Sequence, residues 1–465
     1  MVFSSLLFVF LFLALNLVSQ AALRGMRQKN IAMLIFSMVF FSWAGPRYVV
    51  LLLLDTALCW FFALQIEKQP GRKKLHLTLC VALVLAVLGV FKYTGFLLGN
   101  LQGLFGWPPL IPEIVLPIGI SFYTFQALSY VIDVYRGTVA AQKNPITFGT
   151  YIALFPQLIA GPIVQYKTVE QQLCGRRETA AQFAEGIGRF TVGLGKKVLI
   201  ANQVGALWDT VAALPGTSLT AGTAWLGALA FTFQIYFDFS GYSDMAIGLG
   251  KMLGFQFLEN FDYPYLSRSI TEYWRRWHIS LGTWFREYVY IPLGGNRRGL
   301  PRQILNLIIV WGLTGLWHGA SWNFLLWGLY YGVILILEKV WLQKPLQRAP
   351  RAVQHLYSLL LIVFGWVIFA LTDFGAIGNY FAALFGAHGG ADSETLYLLT
   401  TNLILLVIAG VASTRLPARL AERLVQRMHP AGQTAVKCVF YAGVLLLCIA
   451  FLVGDSYNPF LYFRF

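Results

Sequence analysis

Charge is what this chain has least of. Only 12% of its residues are Asp, Glu, Lys or Arg, about half the share usual in soluble domains. Acidic residues are the scarcer sign, 20 against 35 basic ones, giving a net charge of +15. Cysteine is also sparse. Cys59, Cys80, Cys174, Cys438 and Cys448 are scattered without a CxxC, which argues against a disulfide framework or a zinc site. No other metal site is indicated. The phosphate-binding GxxxxGK[ST], the zinc-protease HExxH and the GxSxG nucleophile elbow are all missing, so the common forms of those chemistries are excluded. No repeat of 20–50 residues is visible and no polar stretch is long enough for a soluble domain, so 1–465 reads as one integral-membrane domain.

What the chain has instead is apolar length. It is 57% hydrophobic and 16% aromatic over 465 residues, enough for roughly 10 to 12 spans of ~20 residues with short loops. Its basic residues fall in those loops, the pattern of a multi-pass protein obeying the positive-inside rule, so nucleic acid is not the expected partner and membrane lipid is.

The basic clusters set a topology. Residues 2–23 are apolar and are followed by Arg24, Arg27 and Lys29; runs 31–44 and 48–66 then lead to Lys68, Arg72, Lys73 and Lys74. Two spans separate the clusters, so both face the cytoplasm and the N-terminus lies outside. Run 31–44 makes only about 21 Å of helix, so it is short or extended by flanking turns. The opening segment lacks the basic region of a cleaved signal and reads as a retained span. Run 75–99 returns outward. A last span, 438–453, carries the C-terminus outside, which requires an odd number of spans.

Other apolar stretches are broken. Pro108, Pro109, Pro112 and Pro117 precede 118–136, and Pro156 and Pro162 interrupt 148–164. At membrane depth such backbone survives only where protein or a watery cavity covers it, so half-length or re-entrant helices are expected over 108–132 and 148–164. Runs 221–237 and 242–257 flank Asp238 and Asp244. Segment 258–302 is rich in Arg and Trp and reads as cytoplasmic and interfacial. Arg415, Arg419, Arg423 and Arg427 recur beside Leu416, Leu420 and Leu424, a basic amphipathic helix suited to an anionic leaflet.

Two histidines stand apart. His318 is the lone ionisable side chain between Arg302 and Glu338, in LIIVWGLTGLWHGASWNFLLWGLYYGV. As one helix, 303–337 would be about 51 Å long, so a break or strong tilt is expected where Gly315 and Gly319 bracket His318. His278 follows Tyr273-Trp274-Arg275-Arg276-Trp277. An ionisable group at membrane depth is costly and marks a functional site, although a hydrogen-bonded structural histidine is the bland alternative. A buried imidazole stays neutral and can act as a general base toward a hydroxyl attacking an acyl thioester. Trp317, Trp322 and Asn323 are placed to orient or shield His318. Arg275 and Arg276 suit the phosphates of a donor or an acidic carrier protein, though as topology determinants they need no ligand. His388 and Asp392 form an HxxxD in a polar loop without supporting residues and are set aside; His76, His355 and His429 read as interfacial.

WRRWHISLGTWFREYVYIPLGGNRRG followed by GLWHGASWNFLLWGLYYG resembles the membrane-bound O-acyltransferases, in particular their bacterial polysaccharide-modifying branch. MVFSSLLFVFLFL, FQIYFDFSGYSDMAIGLGKMLGF and PFLYFRF are similar to its alginate-acetylating membrane subunits, so the likeness runs over nearly the whole chain. It implies an all-α fold of about eleven transmembrane helices plus re-entrant pieces around a central funnel. It also implies His318 as the catalytic histidine and His278 as the second polar position, held by Asn or Asp in eukaryotic members. Trp274, Arg275, Arg276, Trp317 and Asn323 become the expected substrate-binding set. The expected reaction passes acetyl from a cytoplasmic donor, acetyl-CoA or another thioester, with no bound cofactor. The acetyl group moves toward the periplasm, where a partner protein completes O-acetylation of an exopolysaccharide, alginate first and cellulose next. The resemblance implies an inner-membrane location. D-alanyl transfer from a carrier protein is an alternative within the family, and a polysaccharide or lipid transporter an alternative outside it, for which broken helices are also typical.

Overall fold

The computed structural model describes residues 1–43, 45–106, 114–454 and 460–461, and every regular element among them is helical. Backbone groups in hydrocarbon must bond within their own segment, which only a helix achieves without closing a barrel. Among the described residues six helices are long and apolar enough to cross a membrane: Pro46–Lys68, Pro70–Phe105, Trp322–Arg348, Arg351–Ala370, Ser393–Ala412 and Pro430–Gly454. Leu7–Ala22 and Phe374–Leu384 are shorter apolar helices. The chain is an all-α multi-pass membrane protein.

The remaining apolar runs take other forms. Run 31–44 is extended at its N-terminal end into Met26–Ser42. Pro108, Pro109 and Pro112 lie outside the described residues, but 148–164 breaks as its prolines require. Asn144 starts Pro145–Ala153 by accepting from the Ile146 amide at 2.9 Å, and Phe155–Leu158 restarts with Pro156 in its first turn, where a missing N–H costs nothing. Runs 221–237 and 242–257 are joined by a single helix, Ala221–Met252. Asp238 and Asp244 are both buried along it.

The chain divides into two compact units, Met1–Phe190 with Tyr242–Glu259, and Thr191–Gly241 with Asn260–Phe465. In the first, Phe3, Phe8, Phe12, Phe40 and Phe155 form one aromatic cluster. The buried Arg176 there donates to Asn30 Oδ1 at 2.6 Å. The second unit contains both candidate histidines. Run 303–337 does break beside His318: Leu300–His318 and Trp322–Leu337 form a hairpin turning through Gly319, Ala320 and Ser321. Glycine lets the two helices touch. A Cβ on Gly315 would lie 2.3 Å from the Phe324 carbonyl oxygen, and one on Gly328 would lie 2.3 Å from that of Trp311. Backbone contact of this kind is how membrane helices gain dispersion energy when hydrocarbon solvates both partners equally.

Candidate active site

His318 is the last residue of Leu300–His318 and is 4% exposed. Three rings meet its imidazole edge to face, with centroids at 5.0 Å for Trp317, 4.9 Å for Trp327 and 5.4 Å for Phe369. Asn323 is fully buried, and its Nδ2 donates to the carbonyl oxygens of Ile368 and Phe369 at 3.3 and 3.2 Å. Those bonds fix the end of Arg351–Ala370 and so the Phe369 ring that faces His318. Asn323 therefore orients the site through its neighbour.

His278 has a different setting. It sits between the short helices Ile270–Arg276 and Ile279–Phe285, with φ +46° and ψ +53°, a left-handed conformation uncommon outside glycine and easiest for Asn, Asp and His. Its Nδ1 lies 3.3 Å from Asn260 Oδ1, which also accepts from the Ser280 amide at 3.1 Å and the Ser280 hydroxyl at 2.9 Å. A backbone amide can only donate, so the atom it meets on Asn260 is the carbonyl oxygen. Nδ1 of His278 must then carry the proton, leaving Nε2 as the lone-pair nitrogen. The ring is 2% exposed, outside the spanning helices, and burial pushes its pKa down to about 3. It is neutral at physiological pH.

Trp317 joins the two sites, since its ring centroid lies 5.0 Å from that of His318 and 6.0 Å from that of His278. Phe239 closes the other side of His278 at 4.6 Å. Trp274 is half-buried and packs on Trp311, Trp327 and Tyr331 at 4.6, 5.6 and 4.9 Å. Through Trp327 it supports the wall of the His318 pocket.

The paired arginines separate. Arg275 is exposed and forms no ion pair among the described residues. Arg276 is bound by Glu272 at 2.8 Å and by Asp262 Oδ2 at 3.2 Å. Of the two, Arg275 has its guanidinium available to a ligand. Asp392 caps Ser393–Ala412 through the Thr395 amide at 2.8 Å, a structural task that accounts for the HxxxD.

Two supporting residues escape sequence reasoning. Asn260 is one, and its polar signal is shared by every loop asparagine. The other is Glu338, which ends the uncharged run. Its buried carboxylate accepts from the Ile270 amide at 2.6 Å, and from the Thr271 amide and hydroxyl at 2.8 and 2.6 Å. An acid here satisfies the opening amides of Ile270–Arg276 and meets the positive end of its dipole, which seats the helix that leads into His278. Among the described residues no group of three or more His, Cys, Asp or Glu side chains is arranged to hold a metal.

Comparison with known proteins places the chain among acyltransferases. The profile of MBOAT, the membrane-bound O-acyltransferase family, matches residues 141–382, which include both histidines. A probable alginate O-acetylase of Pseudomonas putida is 40% identical over the whole of both chains. The corresponding protein of Pseudomonas aeruginosa is 45% identical over 83% of this chain and 75% of its own. A peptidoglycan O-acetyltransferase of Helicobacter pylori is 29% identical across 100% of this chain and 98% of its own.

Proposed function

This chain belongs to the membrane-bound O-acyltransferase family and is an O-acyltransferase, and we propose that it moves acetyl groups from a cytoplasmic thioester toward the periplasm for O-acetylation of an exopolysaccharide, alginate first among the candidates. The observation that carries the reading is the buried histidine pair, His318 at a helix break and His278 in its polar cradle, with Trp317 against both rings.

His318 acts as general base. It takes the proton from an acceptor hydroxyl as the oxygen attacks the thioester carbonyl, and the thiolate leaves with the carrier. Geometry demands that an imidazole nitrogen come within about 3 Å of that hydroxyl, directly or through one water. His278 presents Nε2 from the donor side, where its fixed tautomer can accept a hydrogen bond but not supply one. Arg275 attracts the phosphates of acetyl-CoA, and Arg276 braces the segment. A short acetyl group cannot bridge a hydrocarbon layer of about 30 Å. Donor and acceptor must therefore meet in a passage open to both sides. In this reading the protein sits in the inner membrane with both termini outside, and a periplasmic partner completes transfer to the sugar.

The test is polymer acetyl content in cells carrying His318→Ala at normal protein level. Acetylation should collapse, and unchanged acetylation would remove the reading. Labelled acetyl-CoA supplied to purified protein separates the alternatives. His318-dependent thioester cleavage excludes pure transport, and activity only with an acylated carrier protein would replace the donor assignment by a D-alanyl-type route.

A further inference from the structure

One surface remains that the reaction does not use. Leu416–Gln426 buries none of its residues. Leu416, Leu420 and Leu424 share one face at 51%, 48% and 63% exposure, with Met428 beyond them at 41%. Arg419 and Arg423 form an exposed stripe alongside, and Arg427 follows at the end of the helix. The helix lies between Ser393–Ala412 and Pro430–Gly454, both apolar enough to span. Three residues intervene on either side, 413–415 and 427–429, so chain length holds it at the bilayer surface. Leucines exposed to water there would have nothing to offset their hydration, whereas acyl chains would cover them.

The first arginine of the series is placed differently. Arg415 Nη2 binds both oxygens of Asp262, at 2.6 and 2.8 Å, and its guanidinium lies 5.5 Å from the Tyr263 ring. Asp262 also receives Arg276, and its backbone amide donates to the Arg276 carbonyl at 2.9 Å. The surface helix is thus tied, through one carboxylate, to the segment that ends in His278.

We propose that Leu416–Gln426 is a docking surface for anionic phospholipid, its leucines among the acyl chains and Arg419, Arg423 and Arg427 on the phosphates, with Arg415 and Asp262 linking lipid occupancy to the His278 segment. The occupant is a lipid leaflet because the exposed apolar stripe is continuous with two spans and the charge beside it is basic. An acidic protein would satisfy the arginines and leave the leucines in water. Each arginine near an anionic surface should favour such lipid by about fivefold. The surface itself does not depend on the catalytic reading; only its effect on transfer does.

The experiment uses full-length protein in nanodiscs of phosphatidylcholine, alone or mixed with phosphatidylglycerol. Cys174 and Cys438, the exposed cysteines, are replaced by serine, and a spin label is placed at Leu420→Cys or Leu424→Cys. Labels at both sites should collide with dissolved oxygen far more than with a water-soluble nickel chelate. Phosphatidylglycerol should copurify with the wild type and fall several-fold with Arg419→Gln, Arg423→Gln and Arg427→Gln combined. Chelate-accessible leucines in both lipid mixtures would overturn the proposal, as would equal phosphatidylglycerol retention by the triple variant. Burial of the labels only on adding an acidic carrier protein would overturn it in favour of that partner. Acetyl transfer that responds to phosphatidylglycerol in the wild type but not in Arg415→Gln would establish the link, and a lipid response unchanged in Arg415→Gln would refute it. Because label depth and lipid retention are read without catalysis, a failure of the acyltransfer reading leaves them interpretable.

Discussion

Both histidines are buried, yet they are held by different means. His318 is held by shape, at a helix end against three rings that meet it edge on. His278 is held by direction, with a left-handed backbone and an amide oxygen that fixes which nitrogen carries the proton. Aromatic walls exclude water from an imidazole, which suits a group that acts as a base on a buried hydroxyl. A fixed tautomer suits a group that accepts a hydrogen bond repeatedly without titrating. In the proposed reaction the difference suits His318 to turnover and His278 to orientation.

The largest effect should come from His318. Its replacement by alanine or glutamine should cut acetyl transfer by about 100-fold or more, the usual contribution of a general base, with the protein still present in the membrane. A loss under tenfold in initial rate would equalise the two histidines and break the comparison. Next comes Glu338→Ala, which removes charged hydrogen bonds to two amides and a hydroxyl and should cost about 2 kcal/mol of stability. Thermal unfolding of the purified protein would register this, and an unchanged midpoint would show that Ile270–Arg276 seats itself. Asn260→Ala frees the His278 tautomer and should slow transfer about tenfold, the value of one lost hydrogen bond. Asn260→Asp keeps an acceptor and should recover much of the rate, an outcome that a merely structural role for Asn260 would not give.

The smallest effect concerns pH. Burial lowers His278 from 6.5 to about 3, so between those values the unfolded chain holds a proton that the folded chain does not. Stability therefore rises with pH over that window; the contribution is complete above about 6.5 and is lost as pH falls toward 3. His278→Asn, which tolerates the same backbone, should make the acid-side decline in thermal stability shallower. An identical profile in the variant would mean that His278 does not set it.

Much of this was legible from residue order. The helical membrane class followed from apolar runs and loop charges, and the turn after His318 followed from Gly319 and a run too long for one span. The break within 148–164 followed from Pro156. Adjacent arginines were not separable, because Arg275 and Arg276 differ only in which way each points from a seven-residue helix. Asp238 and Asp244 looked like the border between two runs, but both lie buried within one helix, Asp238 paired with Lys197 at 2.5 Å and Asp244 with Arg189 at 2.6 Å. Partners 41 and 55 positions away leave no local trace.

The Glu338 carboxylate has a consequence for biosynthesis. It joins residues 270 and 271 to a point 67 to 68 positions later, after the Leu300–His318 and Trp322–Leu337 hairpin. As the chain leaves the ribosome, the His278 segment is made first but lacks its clasp until that hairpin has been synthesised. Assembly of the two histidine sites is therefore ordered, with insertion of the later helices completing the earlier segment. A nascent chain arrested before residue 338 should leave 270–278 open to protease or thiol labelling, and release past that point should close it.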